Sequence, residues 1–598
     1  AAKVRLLEAL LEGAALSYTM VTGKLAVSPQ TVTSMAAQGI LRGESYETYR
    51  NPVHFDELPG EKKKLTEVQQ EIADDFIRSY DAGDRTPVLL HGITGSGKTE
   101  VYMEMIDAML QRGKQCIVLI PEIALTYQTL LRFYKRFGDA VSVMHSRLSA
   151  GERYDQMKRA KRGEVQVMIG PRSALFTPFQ KLGLIIIDEE HETSYKSDSM
   201  PKYHAREVAV HLAEMTDACV VMGSATPSLE ANYRAQQGIY KKYVLSERIG
   251  DAVLPEVQIV DMRQELAGGN SSIFSRHLET AIADRLEKRQ QVMLFLNRRG
   301  ISGFVSCRAC GYVMKCPHCD VSLSEHRQKM VCHYCGYEEP KPSVCPKCQS
   351  RYLFGFKAGT QQVEDSLRLR FPEARILRMD ADTTKKKDDY EKILAVFANR
   401  DADILIGTQM IVKGHDFPGV TLMGVLAADL SFLAADYRSG ERTFQLLVQA
   451  VGRAGRGSVA GEAVIQTYQP DHYAITCAAA QDYKSFYEEE ILYRELSGYP
   501  PAAHMLAVQI YGKEEENVKQ LARRLTDVVK SNMDFLQILG PTQANISKIN
   551  DIYRYVFYAK HAEYDTLVAV KDCVEETLRQ WQPRQLSIQF DFDPVNVL

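Results

Sequence analysis

The spacing of apolar positions changes along the chain. Residues 1 to about 52 read as short amphipathic helices: VRLLEALLE, then SPQTVTSMAAQGIL, then ETYRNP. In the second of these Ser28 is placed to cap the helix, Pro29 stands at its first position, and Gly39 ends it. Helix, turn, helix and a short strand pair is the winged-helix pattern. A small helical bundle with no role on DNA is the plainer reading. From Leu65 the pattern becomes short continuous apolar runs between helical stretches: PVLLHGI, CIVLIPE, SVMH, VQVMIG, GLIIIDEE and CVVMGSA. Runs without alternation, rich in β-branched residues, suit strands buried on both faces, so a parallel α/β sheet is expected. A second series, QVMLFLN, ARILRMD, ADILIGT, GVTLMGVLAAD and GEAVIQTY, predicts a second such sheet, with a cysteine-rich block inserted after its first strand. Polarity resumes near 482, and ELSGYPPAAHMLAVQIYG opens a last α+β region. The expected organisation is a winged helix over 1–55, one α/β unit over 62–245, a second over 246–304 and 350–470, the cysteine module over 305–349, and a C-terminal α+β domain over 471–598.

Composition narrows the classes. A chain of 598 residues should hold roughly three to five domains. Hydrophobic content of 45% and charged content of 25% are ordinary for globular proteins. A net charge of −3 advertises no bulk affinity for nucleic acid, which would have to be held by local patches and positioned donors. The first twenty residues mix Lys, Arg and Glu with Leu and do not form a signal peptide. The apolar runs are strand-length, far below the roughly 18 residues a membrane span needs. A cytoplasmic location with no membrane partner is therefore expected. In that reducing compartment, eight of twelve cysteines packed between 307 and 348 point to metal and away from disulfides.

The most specific motif is GITGSGKT, Gly92 to Thr99, which follows a strand and opens a helix. Its backbone amides, at Gly92, Thr94, Gly95, Ser96 and Gly97, would wrap phosphate oxygens. Lys98 would reach the β- and γ-phosphates, and the Thr99 hydroxyl would ligate Mg²⁺. IIIDEEH supplies the second half: Asp188 at a strand end to hold Mg²⁺, and Glu189 to orient or deprotonate the attacking water. Ninety residues after a phosphate loop, these acids make a nucleotide hydrolase signature. VQAVGRAGRG supplies the third part, because Arg453 and Arg456, three apart, share a helix face. Two guanidiniums from a separate unit suit a γ-phosphate reached across a cleft, and closure of that cleft explains why two sheets are needed.

The cysteines form four C-x-x-C pairs, 307/310, 316/319, 332/335 and 345/348. Eight thiolates give two tetrahedral Cys₄ zinc sites. The twelve residues between the inner pairs suit a ribbon hairpin, which favours 316/319 with 332/335 inside and 307/310 with 345/348 outside. The sequential scheme joins 307/310 to 316/319 through only five residues. A redox role fits a lone C-x-x-C better than four of them, and thiolate count alone leaves iron–sulfur ligation open.

GITGSGKT, DEEH, GSATPSLE, GTQMIVKGHDF and QAVGRAGRG, in this order, resemble the motifs of helicase superfamily 2. With GPRSALFTPF, NRRGIS, the four cysteine pairs and GTQQVED, the whole chain resembles the PriA-type replication-restart DNA helicases, the primosomal protein N′ family. The resemblance implies two RecA-like lobes, ATP and Mg²⁺, two zinc ions in the nested pairing, and 3′→5′ movement on forked DNA. It further implies loading of the replicative helicase, with single-stranded DNA-binding protein and other primosome proteins as partners. It places adenine recognition on Gln69, coupling of hydrolysis to movement on Ser224 and Thr226, the fifth motif on Gln409, Lys413 and Asp416, and the sixth on Gln449. DNA contacts fall on Arg172, Arg298, Thr408, Gln409 and Lys413, and on Tyr203, His204 and Arg206 of a loop that resembles one sensing single-stranded DNA. GYPPAAH and GPTQANISKINDIYRYVFYAK look like C-terminal motifs of the family, which implies a domain that contacts DNA and single-stranded DNA-binding protein. Relatives normally begin with a further domain that binds a nascent 3′ end. This chain starts at Ala1, almost in the winged helix, so a truncated chain is expected and 3′-end recognition falls outside it. Two other readings are a DNA-binding primosome scaffold whose zinc module recruits partners while the motor is dispensable, and an RNA helicase. Intact Lys98, Asp188, Glu189 and Arg456 favour the motor.

Overall fold

A computed structural model describes every residue except 1, 13–15, 17, 19, 26, 43–61, 63, 123–126, 147, 250–254, 297–304, 320, 327–328, 355–358, 381, 385–388, 413–416, 433–435, 456–459, 534–535, 583–584 and 597–598. The chain divides into two compact units, residues 1–52 with 149–156, and the remainder. In the first, helices Ala2–Glu12 and Pro29–Ala37 enclose Leu6, Val21, Val27 and Met35. Ser28 caps the second helix, its hydroxyl accepting from Thr31 N, and Pro29 fills its first position as the sequence requires. The strand pair expected after it falls largely on residues outside those described.

The first sheet has seven parallel strands: β1 Val88–Gly92, β2 Gln115–Leu119, β3 Val141–Val143, β4 Val167–Gly170, β5 Leu182–Asp188, β6 Cys219–Ser224 and β7 Lys241–Leu245. Their order is β3-β4-β2-β5-β6-β1-β7. Helices cover both faces: Ile117, Ile185 and Val220 point into one core layer, and Cys116, Ile186 and Val221 into the other. That double burial is what the unalternating runs demand. Because β5, β6 and β1 are neighbours, their carboxyl ends bring DEEH, GSAT and the phosphate loop side by side.

The second sheet begins with β8 Glu256–Asp261 and β9 Gln291–Leu296. The chain then leaves it for a module of short strands, β10 Ser306–Cys307, β11 Ser324–His326, β12 Lys329–Val331, β13 Glu338–Pro340 and β14 Leu353–Phe354. It returns with β15 Ile376–Met379, β16 Ile404–Gly407, β17 Val420–Leu426 and β18 Glu462–Thr467, giving six parallel strands in the order β15-β16-β9-β17-β18-β8. The module thus follows the second strand of this unit, not the first. β8 is an edge strand whose residues are half-exposed, so EVQIVD lacks the continuous apolar signature of its neighbours. Helices Tyr473–Ala480 and Tyr483–Ser497 put Ile475, Tyr483 and Phe486 into the core of this sheet and do not open the last domain, so the expected division near 470 falls inside the packed second unit.

The last domain is antiparallel: β19 His504–Gly512, β20 Gln537–Ile549, β21 Ile552–His561 and β22 Leu586–Phe592, in the order β20-β21-β19-β22. In β19 the side chains Leu506, Val508 and Ile510 meet helices Glu515–Asn532 and Tyr564–Trp581, whereas Met505 and Ala507 meet the cysteine module. Both faces of β19 are covered, which explains an apolar run in an antiparallel sheet.

Candidate nucleotide cleft and metal centres

The phosphate loop is anchored from behind. Thr66 and Gln69 form a capping box at the start of helix Glu67–Asp81: Thr66 Oγ1 accepts from Gln69 N at 3.3 Å, and Thr66 N donates to Gln69 Oε1 at 3.0 Å. The remaining Gln69 amide donor, Nε2, reaches Ser96 O at 2.8 Å. A buried glutamine therefore fixes the loop. Gly97 must be glycine: its φ is +80°, and a Cβ there would stand 2.5 Å from Gln69 Nε2 and 2.4 Å from the Ile249 side chain. Gly95 also has positive φ, +85°. A Cβ at Gly92 would stand 2.6 Å from Ser96 Oγ. Lys98 opens helix Lys98–Gln111 and lays its Nζ across the loop, donating to Gly92 O at 2.7 Å. Thr94 faces the second lobe, 3.4 Å from where a Cβ on Gly452 would lie, and Thr99 occupies the first turn of the same helix as Lys98.

Asp188 ends β5. Tyr102 Oη donates to its carboxylate at 3.2 Å, and Tyr195 Oη donates to its carbonyl at 2.7 Å. Gly223, paired with Asp188 across the sheet, leaves room for the Tyr102 hydroxyl. Burial, reinforced by the adjacent Glu189 carboxylate and opposed by Lys98, pushes Asp188 up to about 7. An acid held in that state is poised for a divalent cation, whose charge would restore its ionised form. Glu189 sits at φ 48°, a strained conformation for a non-glycine residue at the turn that presents its carboxylate. The third acid, Glu190, is buried: it accepts from Ser228 N at 2.6 Å and Ser228 Oγ at 2.9 Å, and pairs with Arg206 at 3.2 Å.

Across the cleft, helix Ser439–Val451 of the second sheet presents Gln449, whose Nε2 donates to His191 Nε2 at 2.7 Å. That bond leaves the His191 proton on Nδ1, which lies 2.7 Å from Ser224 Oγ. Ser224 Oγ in turn accepts from Thr226 N at 3.0 Å. Gln449, His191, Ser224 and Thr226 therefore form one chain that spans both lobes. The helix ends at Val451, so Arg453 stands in a turn and not on the helix face expected of it, and it donates to Val412 O at 2.7 Å. Among the described residues, Ser96 Oγ, Thr226 Oγ1, Gln409 Oε1 and Gln449 Oε1 are buried atoms without hydrogen-bond partners. Buried polar atoms are normally satisfied. The unsatisfied set, the glycine cradle and the paired acids fit a nucleotide with its cation, which would supply the phosphate electrophile and its charge screening.

The proposed DNA-contacting residues divide. Arg172 braces the aromatic loop by donating to the carbonyls of Ser194 and Lys196. Tyr203 lies edge-on to the exposed Phe176 ring at 5.5 Å, a pair suited to stacking bases. His204 caps helix Ala205–Thr216, and Arg206 is held by Glu190, Glu207 and Ser228. Thr408 precedes helix Gln409–Val412, which begins with Gln409. Arg298, Lys413, Asp416 and Arg456 lie outside the described residues. Sequence reasoning missed Lys196 and Lys202, which reach Asp591 on β22 at 2.8 and 3.7 Å and tie the loop to the last domain.

The cysteines form two groups of four, Cys307, Cys310, Cys345 and Cys348, and Cys316, Cys319, Cys332 and Cys335, with all sulfurs of a group within 4.8 Å. Sulfur–sulfur separations of 3.6 Å for Cys307–Cys348 and Cys316–Cys335, and 3.7 Å for Cys310–Cys345, match the edge of a tetrahedron, about 3.8 Å for Zn–S bonds of about 2.3 Å. All four pairs share one turn. The first cysteine's N–H donates to the carbonyl five residues on: 307 to 312, 316 to 321, 332 to 337 and 345 to 350. The residue after the second cysteine is left-handed at Gly311, Gly336 and Gln349. The inner group sits in a shared core with Tyr334, Tyr499, Met505, Ala507 and Tyr558, and Arg308 pins the outer group to Tyr468 of the second lobe.

Four family models match the chain: DEAD/DEAH box helicase over residues 66–234, the PriA DNA helicase Cys-rich region domain over 316–340, the helicase conserved C-terminal domain over 349–458, and the primosomal protein N C-terminal domain over 495–595. Replication restart protein PriA of Bacillus subtilis (strain 168) is 44% identical over 98% of this chain and 73% of its own length. The protein of that name from Synechocystis sp. is 41% identical over 95% and 69%. A RecG chain solved on a three-way DNA junction superposes with a TM-score of 0.41 at 16% identity, over 73% of this chain and 50% of that one.

Proposed function

The chain belongs to the PriA family of replication restart proteins, and on that premise we propose that it uses ATP to move 3′→5′ along single-stranded DNA at forked or stalled replication sites, and there promotes loading of the replicative helicase. It is an ATP-dependent replication-restart DNA helicase with two Cys₄ zinc centres. In this reading Lys98 and Thr99 hold the nucleotide phosphates and cation, and Asp188 completes the cation site. Glu189 activates water, Arg453 and Arg456 meet the γ-phosphate, and Arg172 and Tyr203 line the single-strand path. Single-stranded DNA-binding protein, other primosome proteins and the helicase loader are the proposed partners.

The observation that carries the reading is the chain Gln449–His191–Ser224–Thr226. It links the second lobe to the hydrolytic acids and to the segment that leads onward to helix Leu229–Gln236. Hydrolysis that disturbs Glu189 and His191 is then felt by both lobes at once. The test is ATP turnover with and without forked DNA, on the native protein and Lys98→Ala, joined to strand displacement from forks tailed on either strand. We expect turnover stimulated by DNA, abolished by Lys98→Ala, and displacement confined to the fork that admits 3′→5′ movement. Native protein without DNA-stimulated turnover would sink the motor reading, and displacement with the opposite polarity would overturn its direction.

A further inference from the structure

Two consecutive amides at the head of helix Leu229–Gln236 are held by acids from different lobes. Ser228 N donates to Glu190, the third acid of the DEEH box, at 2.6 Å. The next amide, Leu229 N, donates to Glu441 Oε1 at 3.0 Å, and Glu441 belongs to helix Ser439–Val451 of the second sheet. On that helix Glu441, Gln445 and Gln449 are four apart and make a polar stripe. One end of the stripe touches Leu229, and the other touches His191. The helix therefore meets the first lobe at two points, each beside the hydrolytic box.

Glu441 is itself gripped. Its Oε2 accepts from Arg494 Nη2 at 3.2 Å, and Arg494 is completely buried. Arg494 also reaches Glu490 at 2.8 Å and Pro500 O at 2.7 Å. Arg438, one turn before Glu441, pairs with Glu230 on the first-lobe helix at 2.6 Å. A buried carboxylate is costly unless each oxygen is satisfied. Here one oxygen faces two guanidiniums of its own lobe, Arg494 and, at 3.7 Å, Arg438, while the other accepts from Leu229 N of the opposite lobe and, at 3.4 Å, from Gln445 Nε2.

We propose that Glu441 is a positioning residue that couples hydrolysis to lobe movement, by holding the Leu229 amide while Glu190 holds the Ser228 amide beside it. This rests on the motor reading above. A change at Glu190 turns the head of helix Leu229–Gln236, and through Glu441 it turns the helix that carries Gln449 and leads to Arg453. Arg494 keeps Glu441 aimed at Leu229 through the cycle.

The test uses Glu441→Gln, which keeps size but sets an amide N–H against either Arg494 or Leu229 N. A second variant, Leu229→Pro, removes the donor at a first helical position, where proline is tolerated. For each, DNA-stimulated ATP turnover, KM for ATP and strand displacement are measured on the full chain, with zinc content and unfolding midpoint as controls. Displacement per ATP hydrolysed is expected to fall about tenfold or more, the weight of a hydrogen bond to a charged group, with KM for ATP unchanged and turnover within about twofold. Parallel loss of turnover and displacement in the folded variants, or no change in either, overturns the coupling role. If Glu441→Gln fails to fold, Leu229→Pro decides by the same two outcomes. Absence of DNA-stimulated turnover in the native protein would count against the motor reading, not against Glu441.

Discussion

His204 and His472 each close the first turn of a helix with a ring nitrogen. His204 Nδ1 accepts from Arg206 N, and His472 Nδ1 accepts from Ala474 N, both at 3.2 Å. Both caps require a neutral ring, and burial holds His204 down to about 3 and His472 down to about 4, with nearby Arg206 and Lys315 acting in the same direction. The unfolded chain takes up these protons near pH 6.5. The stability they contribute is therefore complete above that pH and is lost as pH falls toward 4. Each should weaken folding by about 1.4 kcal/mol per pH unit inside that window. Urea unfolding at pH 7 and pH 5 should show the loss, and His472→Asn, which caps without titrating, should flatten part of it. An unchanged slope in that variant would remove His472 from the account. Histidine as a cap is hard to read from sequence, because the usual signal is Ser, Thr, Asp or Asn.

At the scale of the element, the phosphate loop and the zinc turns are the most sequence-determined parts. Gly97 is fixed both by positive φ and by Gln69 against it. Gly97→Ala should strain the loop by about 1–3 kcal/mol and weaken ATP binding about ten- to hundredfold. Calorimetric titration with ATP would measure it, and binding within twofold of native would show that the loop adapts. The four C-x-x-C turns repeat one hydrogen-bond pattern, and the glycines at 311 and 336 were visible signals of it. At Gly311 the constraint is also tertiary, since a Cβ would stand 2.2 Å from Tyr468 O. Gly311→Ala is expected to lower the unfolding midpoint and loosen zinc at the outer site, read by competition with a chromogenic chelator. The inner site should keep its metal.

At the scale of the whole molecule, the cysteine module is a keystone between the second lobe and the last domain. The inner site shares its core with Met505, Ala507, Val556 and Tyr558, and Tyr499 donates to Cys319 O at 3.5 Å. Elemental analysis should find two zinc ions per chain, and a count of one or none would refute the double site. Chelation should release both and expose residues 504–592 to limited proteolysis before the helicase lobes, because β19 would lose the cover over Met505 and Ala507. Simultaneous cleavage throughout would mean that the module does not hold this domain in place.

The sequence alone determined whatever depends on local backbone chemistry or a period of apolar positions. That covers eleven of the thirteen parallel strands among the described residues, the phosphate loop and the acids after β5, whereas for the cysteines it favoured the nested grouping that the sulfur positions show. It did not reveal β7 and β8, whose edge positions leave residues half-exposed and blur the pattern. Only the tertiary structure decided how side chains of ambiguous purpose are used. Arg206 could have met DNA as well as Glu190, and its burial beside that acid settles which partner it takes here. Glu441 reads as one acid on a helix until the approach of the other lobe sets Leu229 N in front of it. A carboxylate's role depends on which donor folding brings within about 3 Å, and residues 212 positions apart carry no local trace of that meeting.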